Sequence, residues 1–113
     1  MVKVVITKSL EKEIDKTFKK ESIKIFSLLL SLKENPKKGK IVGVVGNTVI
    51  KEIKYKNYRF YFITDGYKIK MLLISELQDI LIKFIRMSTK KDQQKVIDEI
   101  KQILRFFNRE KFN

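Results

Sequence analysis

The sequence predicts an α+β fold: an N-terminal strand, a helical hairpin, an antiparallel β-meander and a C-terminal helix, with the helices packed on one sheet face. Three observations predict it. Val2 to Thr7 is a short β-branched run. Apolar residues then recur every three or four positions up to Leu30, and again after Thr89. Between Thr48 and Ile74 the period is two, broken at Lys56-Asn57 and at Asp65-Gly66.

Each element has its own signal. After the first strand, Ser9 is placed to cap a helix, with Glu11 and Glu13 in its first turn. Leu10, Ile14 and Phe18 continue at helical spacing, and Ile23, Phe26, Leu29 and Leu30 share one side of a second helix. Asn35-Pro36 ends the hairpin, and Lys37-Lys38-Gly39-Lys40 reads as a basic loop. Three strands follow, Thr48 to Tyr55, Tyr58 to Thr64 and Tyr67 to Ile74. Glu76 to Met87 reads as helix or strand. Its stripe of Leu77, Ile80, Leu81, Phe84 and Ile85 favours helix. The last helix runs from about Thr89 to Phe107, opened by Thr89 and Asp92 in a variant of the capping box.

Two-residue turns fix a register. Across the first hairpin Tyr55 opposes Tyr58, Ile53 opposes Phe60 and Lys51 opposes Phe62. Across the second, Tyr58 opposes Leu73, Phe60 opposes Met71 and Phe62 opposes Ile69. That face is apolar except for Lys51, which is expected to snorkel from the strand end. The other face sets Lys54 against Arg59 and gathers Tyr61, Lys68 and Lys70 around them. Like charges directly opposed destabilise a strand pair, and a bound phosphate reverses the sign. Tyr61, beside these cations, is the candidate platform for an unpaired base. The competing reading is a merely solvated outer face.

Composition narrows the function. One domain spans residues 1–113. It carries 26 Lys and Arg against 13 Asp and Glu, a net charge of +13, and nucleic acid is the commonest partner for such an excess. A Lys-rich composition that serves solubility is the plainer alternative. Without cysteine or histidine the chain has no thiolate or imidazole, so any catalysis falls to Lys, Arg, Tyr or carboxylates. No apolar run approaches the ~18 residues of a membrane span. The first residues contain no signal-peptide core, so a cytoplasmic location is expected.

In order and in local motifs the chain resembles the RelE/ParE superfamily of toxin–antitoxin toxins. The matching stretches are Asn35-Pro36-Lys37-Lys38-Gly39-Lys40, Ile41-Val42-Gly43, Lys51-Glu52-Ile53-Lys54-Tyr55-Lys56 and Asn57-Tyr58-Arg59-Phe60-Tyr61. They resemble the family's helix-ending Pro-x-x-Gly, its Leu-x-Gly-like element, its basic strand and its Tyr-Arg-aliphatic-x-Tyr strand. The likeness covers roughly residues 1–75. RelE-branch members cleave mRNA in the ribosomal A site, whereas ParE-branch members act on DNA gyrase. The RelE-like reading implies attack by a ribose 2′-hydroxyl on the adjacent phosphate, with no cofactor. It gives catalytic roles to Lys54, Lys56 and Arg59, with Lys54 as base and Arg59 as phosphate clamp. Arg86, or Lys90 and Lys91, supply the family's basic residue after the last strand. Tyr61, Lys68, Lys70, Lys90 and Lys91 are the expected substrate contacts. The family's C-terminal tyrosine has no counterpart after Tyr67. The implied partners are a cognate antitoxin with an acidic or helical segment, the ribosome and mRNA; no membrane is expected. The alternative is a non-catalytic basic module of the same fold that binds RNA, ribosome or gyrase.

Overall fold

The computed structural model describes the backbone of residues 2–112 and the side chains of residues 2–107. Strand β1 (Lys3–Ile6) leads into helices α1 (Lys8–Phe18) and α2 (Ser22–Leu30). Strands β2 (Lys40–Val45), β3 (Thr48–Tyr55), β4 (Tyr58–Thr64) and β5 (Lys68–Leu72) follow, then helices α3 (Ile74–Met87) and α4 (Gln93–Phe112). The sheet order is β1-β5-β4-β3-β2, with β1 parallel to β5 and every other pair antiparallel. An α+β architecture with a mixed five-stranded sheet is therefore present.

Local chemistry explains the boundaries. Thr7, not Ser9, caps α1: it is extended, so its Oγ1 reaches the Leu10 N–H at 3.3 Å. The Thr7 hydroxyl also donates to Glu76 Oε1 at 2.7 Å, and that oxygen accepts the Leu73 N–H at 3.0 Å. One carboxylate thus ties the starts of α1 and α3 together. Ser22 donates to the Ile14 carbonyl at 3.1 Å and sets the rotation of α2. Ile25 and Leu29 consequently face inward, while Ile23 stays 75% exposed, contrary to the stripe expected from spacing.

The first hairpin has the expected register, including Lys54 opposite Arg59. The second does not. Phe62 pairs with Met71 and Tyr61 with Leu72. Asp65 Oδ1 accepts the N–H groups of Tyr67 at 2.9 Å and Lys68 at 3.0 Å, which builds a longer loop than a two-residue turn. The slip is by two residues, so every side chain keeps its face. Strand β5 ends at Leu72, and Ile74 already belongs to α3. The segment 76–87 is helical, as its stripe favours.

Two departures matter most. Lys40–Val45 forms an edge strand where the sequence reads as a basic loop ending at Lys40 and then no element before Thr48, with a register break between Ile41 and Gly43. The helices also cover both sheet faces, not one. On the first face Ile53, Phe60, Phe62, Ile69 and Met71 pack under Leu10, Ile14, Ile25, Leu29 and Leu32. On the second, Val45, Ile50, Tyr61 and Leu72 pack under Leu77, Leu81, Ile100 and Ile103. The α3–α4 pair has an apolar stripe to bury, and this face offers apolar residues between its charged ends. Gly43 admits α4 closely, since a Cβ there would lie 2.4 Å from Ile103 Cγ1.

Candidate functional site

At the β3–β4 hairpin end of the second face, Lys54 and Arg59 are cross-strand neighbours. Lys38, Gly39 and Lys40 approach them and close a cleft of about 350 Å³, lined also by Glu52 and Ile53. Gly39 is needed for that approach. Its φ is +104°, and a Cβ there would lie 2.9 Å from the Glu52 carbonyl and 3.1 Å from the Phe62 ring. The neighbouring loop is pinned from below. Lys51 is 7% exposed, and its Nζ donates to the Lys37 carbonyl at 3.1 Å while lying 5.8 Å from the Phe62 ring centroid. Instead of snorkelling outward it is enclosed, and burial pushes its pKa below the usual lysine range.

Four cations therefore surround one carboxylate. Glu52 is 3% exposed and accepts from Arg59 Nη1 at 3.2 and 3.3 Å. This pair is how the fold tolerates Lys54 opposite Arg59: the guanidinium charge is partly met from within the same face. Lys38, Lys40 and Lys54 are exposed. The arrangement presents an aimed guanidinium and three exposed ammonium groups, that of Lys40 lying 5.4 Å from the Phe106 ring centroid, a set suited to phosphate oxygens.

Other expected site residues lie elsewhere. Lys56 sits at the hairpin tip with φ +54° and ion-pairs with Glu21 at 2.9 Å, beyond the end of the α1 face. That contact raises the Lys56 pKa and lowers that of Glu21, which also accepts from Tyr55 Oη at 3.3 Å. Tyr61 is 5% exposed and packs edge-on against Phe107 with ring centroids 4.8 Å apart. It is part of the second core, so its ring offers no face for a base. Lys68 and Lys70 line a separate recess of about 160 Å³ with Thr48, Ile63, Thr64 and Asp65. Lys70 pairs with Ile63, four residues along β4 from Arg59, or about 13 Å. Arg86, Lys90 and Lys91 are exposed at the α3–α4 junction. Ile74, at the start of α3, shares a cavity wall with Arg59, and Arg86 lies twelve residues further on, about 18 Å along the helix.

The structure thus brings together Lys54 and Arg59 from the expected set, and adds Lys38, Lys40 and Glu52. The first two were visible in sequence only as a basic loop; Gly39 between them was the signal that the loop makes a close approach. Among the described residues no helix is long and apolar enough to cross a membrane. Comparison with protein-family models, with curated proteins and with solved structures gives no match.

Proposed function

We propose that this protein is an RNA-directed toxin of a toxin–antitoxin pair, acting at the ribosome, and that its cleft of Lys38, Lys40, Lys54 and Arg59 receives RNA phosphates. The observation that carries the reading is the cross-strand placement of Lys54 and Arg59 at one cationic cleft. Support comes from the element order up to β5, which follows the one the RelE/ParE resemblance implies, with α3 as an added element before the last helix, and from the net charge of +13. A charge of that size steers association with ribosomal RNA, and a helical acidic antitoxin segment would neutralise it.

In the cleaving form of this reading, the 2′-oxygen attacks phosphorus, the bond to the 5′-oxygen breaks, and a cyclic phosphate and a 5′-hydroxyl result. Arg59, Lys38 and Lys40 offset charge on the phosphoryl oxygens, Lys54 is placed to take the 2′-hydroxyl proton, and a solvent water gives a proton to the departing 5′-oxygen. A second reading, binding without cleavage, is favoured by specific observations. Arg86 stands a helix length from the cleft, Lys56 is engaged by Glu21, and Tyr61 is buried.

Expression of the protein alone tests both. Growth arrest with mRNA cut inside codons on translating ribosomes is the expected result for the nuclease. Arrest with intact mRNA identifies the binding form. In either case Lys38→Gln with Lys54→Gln relieves the arrest. No arrest, together with no RNA binding in vitro, overturns the proposal.

A further inference from the structure

We infer that the cavity where β5 ends seats a guanine base of the RNA whose phosphates occupy the cleft, with the Glu13 carboxylate reading that base. The inference rests on the reading of RNA as the partner and deepens it, because Arg59 lines both the cavity and the cleft. Strand β5 stops at Leu72, opposite Tyr61, and the chain turns there into α3. Strand β4 extends past that point to Tyr58. The place a longer β5 would fill is an opening of about 430 Å³, within the range of small-ligand sites. It spans the sheet edge. Tyr58 and Phe60 project to the α1 side, whereas Arg59 and Tyr61 alternate to the cleft side. An RNA strand with a base in the opening therefore crosses this edge toward Arg59.

The walls fit a flat ring with donors along one edge. Helix α1 turns Leu10, Glu13, Ile14 and Thr17 toward the cavity, since residues three and four apart share a helix face. The rings of Phe18 and Tyr58 lie 4.6 Å apart with planes at 81°, so they form a corner, and half-exposed Tyr58 keeps ring surface open to a base. Glu13 supplies the polarity. It is exposed, its Oε1 accepts from the Thr17 hydroxyl at 3.2 Å, and it has no ion pair among the described residues. A carboxylate accepts two parallel N–H bonds from one planar group. Guanine offers two adjacent donors, N1–H and N2–H, on its pairing edge. Adenine, cytosine and uracil each offer a single donor group there, beside acceptors that repel a carboxylate. The wall therefore favours guanine, and only an unpaired guanine presents that edge.

The test measures binding of the full chain to fluorescent oligouridylates of about 12 nucleotides that carry one central guanosine, one central adenosine or neither. The parent is expected to favour guanosine over adenosine about 5- to 150-fold, the range for one bidentate base contact. Removing an acid from so cationic a chain tightens all RNA binding, so the ratio of the two affinities is the readout. Glu13→Gln is expected to make the two affinities nearly equal. Tyr58→Leu, its fold checked by circular dichroism, is expected to weaken the guanosine oligonucleotide more than the all-uridine one. Lys38→Gln with Lys54→Gln is expected to weaken all three alike and leave the ratio unchanged. A parent without guanosine preference, as when the cavity seats a protein side chain instead, overturns the inference and leaves the cleft standing. So does a preference that survives Glu13→Gln, or an equal loss on all oligonucleotides in folded Tyr58→Leu. A preference lost in Glu13→Gln, with affinity unaffected by the lysine pair, keeps the cavity and sinks the cleft. No RNA binding by the parent overturns both.

Discussion

The Arg59 guanidinium meets the Glu52 carboxylate at 3.2 Å across the β3–β4 pair, one pleat from Lys54 on the same sheet face. Glu52 both orients the guanidinium and subtracts from the field of the cleft. Glu52→Gln keeps the shape and removes the charge. Its expected cost in stability is about 1–3 kcal/mol, because a partly buried guanidinium loses a charged acceptor. RNA binding is expected to tighten. Urea unfolding and RNA titration check the two effects, and weaker binding in a folded variant would show that Glu52 serves the ligand directly.

Lys51 makes stability depend on pH in a definite direction. Its folded pKa lies below the unfolded value of 10.5 because burial disfavours the ammonium. Between those two values the unfolded chain binds more protons, so its contribution to stability rises with pH. Lys51→Met removes that term. The stability of the parent minus that of the variant is expected to increase as pH climbs from neutrality toward 10.5. Paired denaturant titrations across that range measure it. A flat difference would mean that the ammonium is solvated despite its enclosure.

Gly43 sets the seat of α4. An alanine Cβ would sit 2.4 Å from Ile103 Cγ1 and 2.9 Å from its Cδ1, in a core where Ile103 is 1% exposed. Ile103 is β-branched and cannot swing clear. Gly43→Ala is expected to destabilise by about 1–3 kcal/mol. Thermal unfolding reports this, and a variant as stable as the parent would mean that α4 does not rest on β2.

Lys19 is strained at the elbow between α1 and α2. Its φ of +48° with ψ of −109° is a conformation that glycine adopts without cost and lysine does not. Lys19→Gly is expected to stabilise by about 1 kcal/mol, raising the melting temperature by about 4 °C. A lower melting temperature would contradict that conformation.

Much of this architecture was legible because short-range chemistry dictated it. Lys56-Asn57 fixed the β3–β4 register, and with it the Lys54–Arg59 neighbours. The second hairpin was misplaced by two residues because Asp65 captures two backbone donors, a contact that dipeptide turn rules do not include. Strand β2 escaped notice because its register break and Gly43 obscure any alternation. Tyr61 misled for a different reason. Its neighbours in register are charged, but the helix that buries it starts more than thirty residues later. Glu52 likewise gave no sign in sequence that it would be enclosed with Arg59, since only the fold brings Lys38 and Lys40 over it.

The most direct test of the cleft is the salt dependence of RNA affinity for the parent protein and for Lys38→Gln with Lys54→Gln. Both lysines are exposed, so the fold should survive the change. Weaker binding is expected, with the slope of log affinity against log salt reduced by about 1.4 for two lost contacts to a single strand. Equal affinity and equal slope in the two proteins would contradict the assignment of the cleft to phosphate.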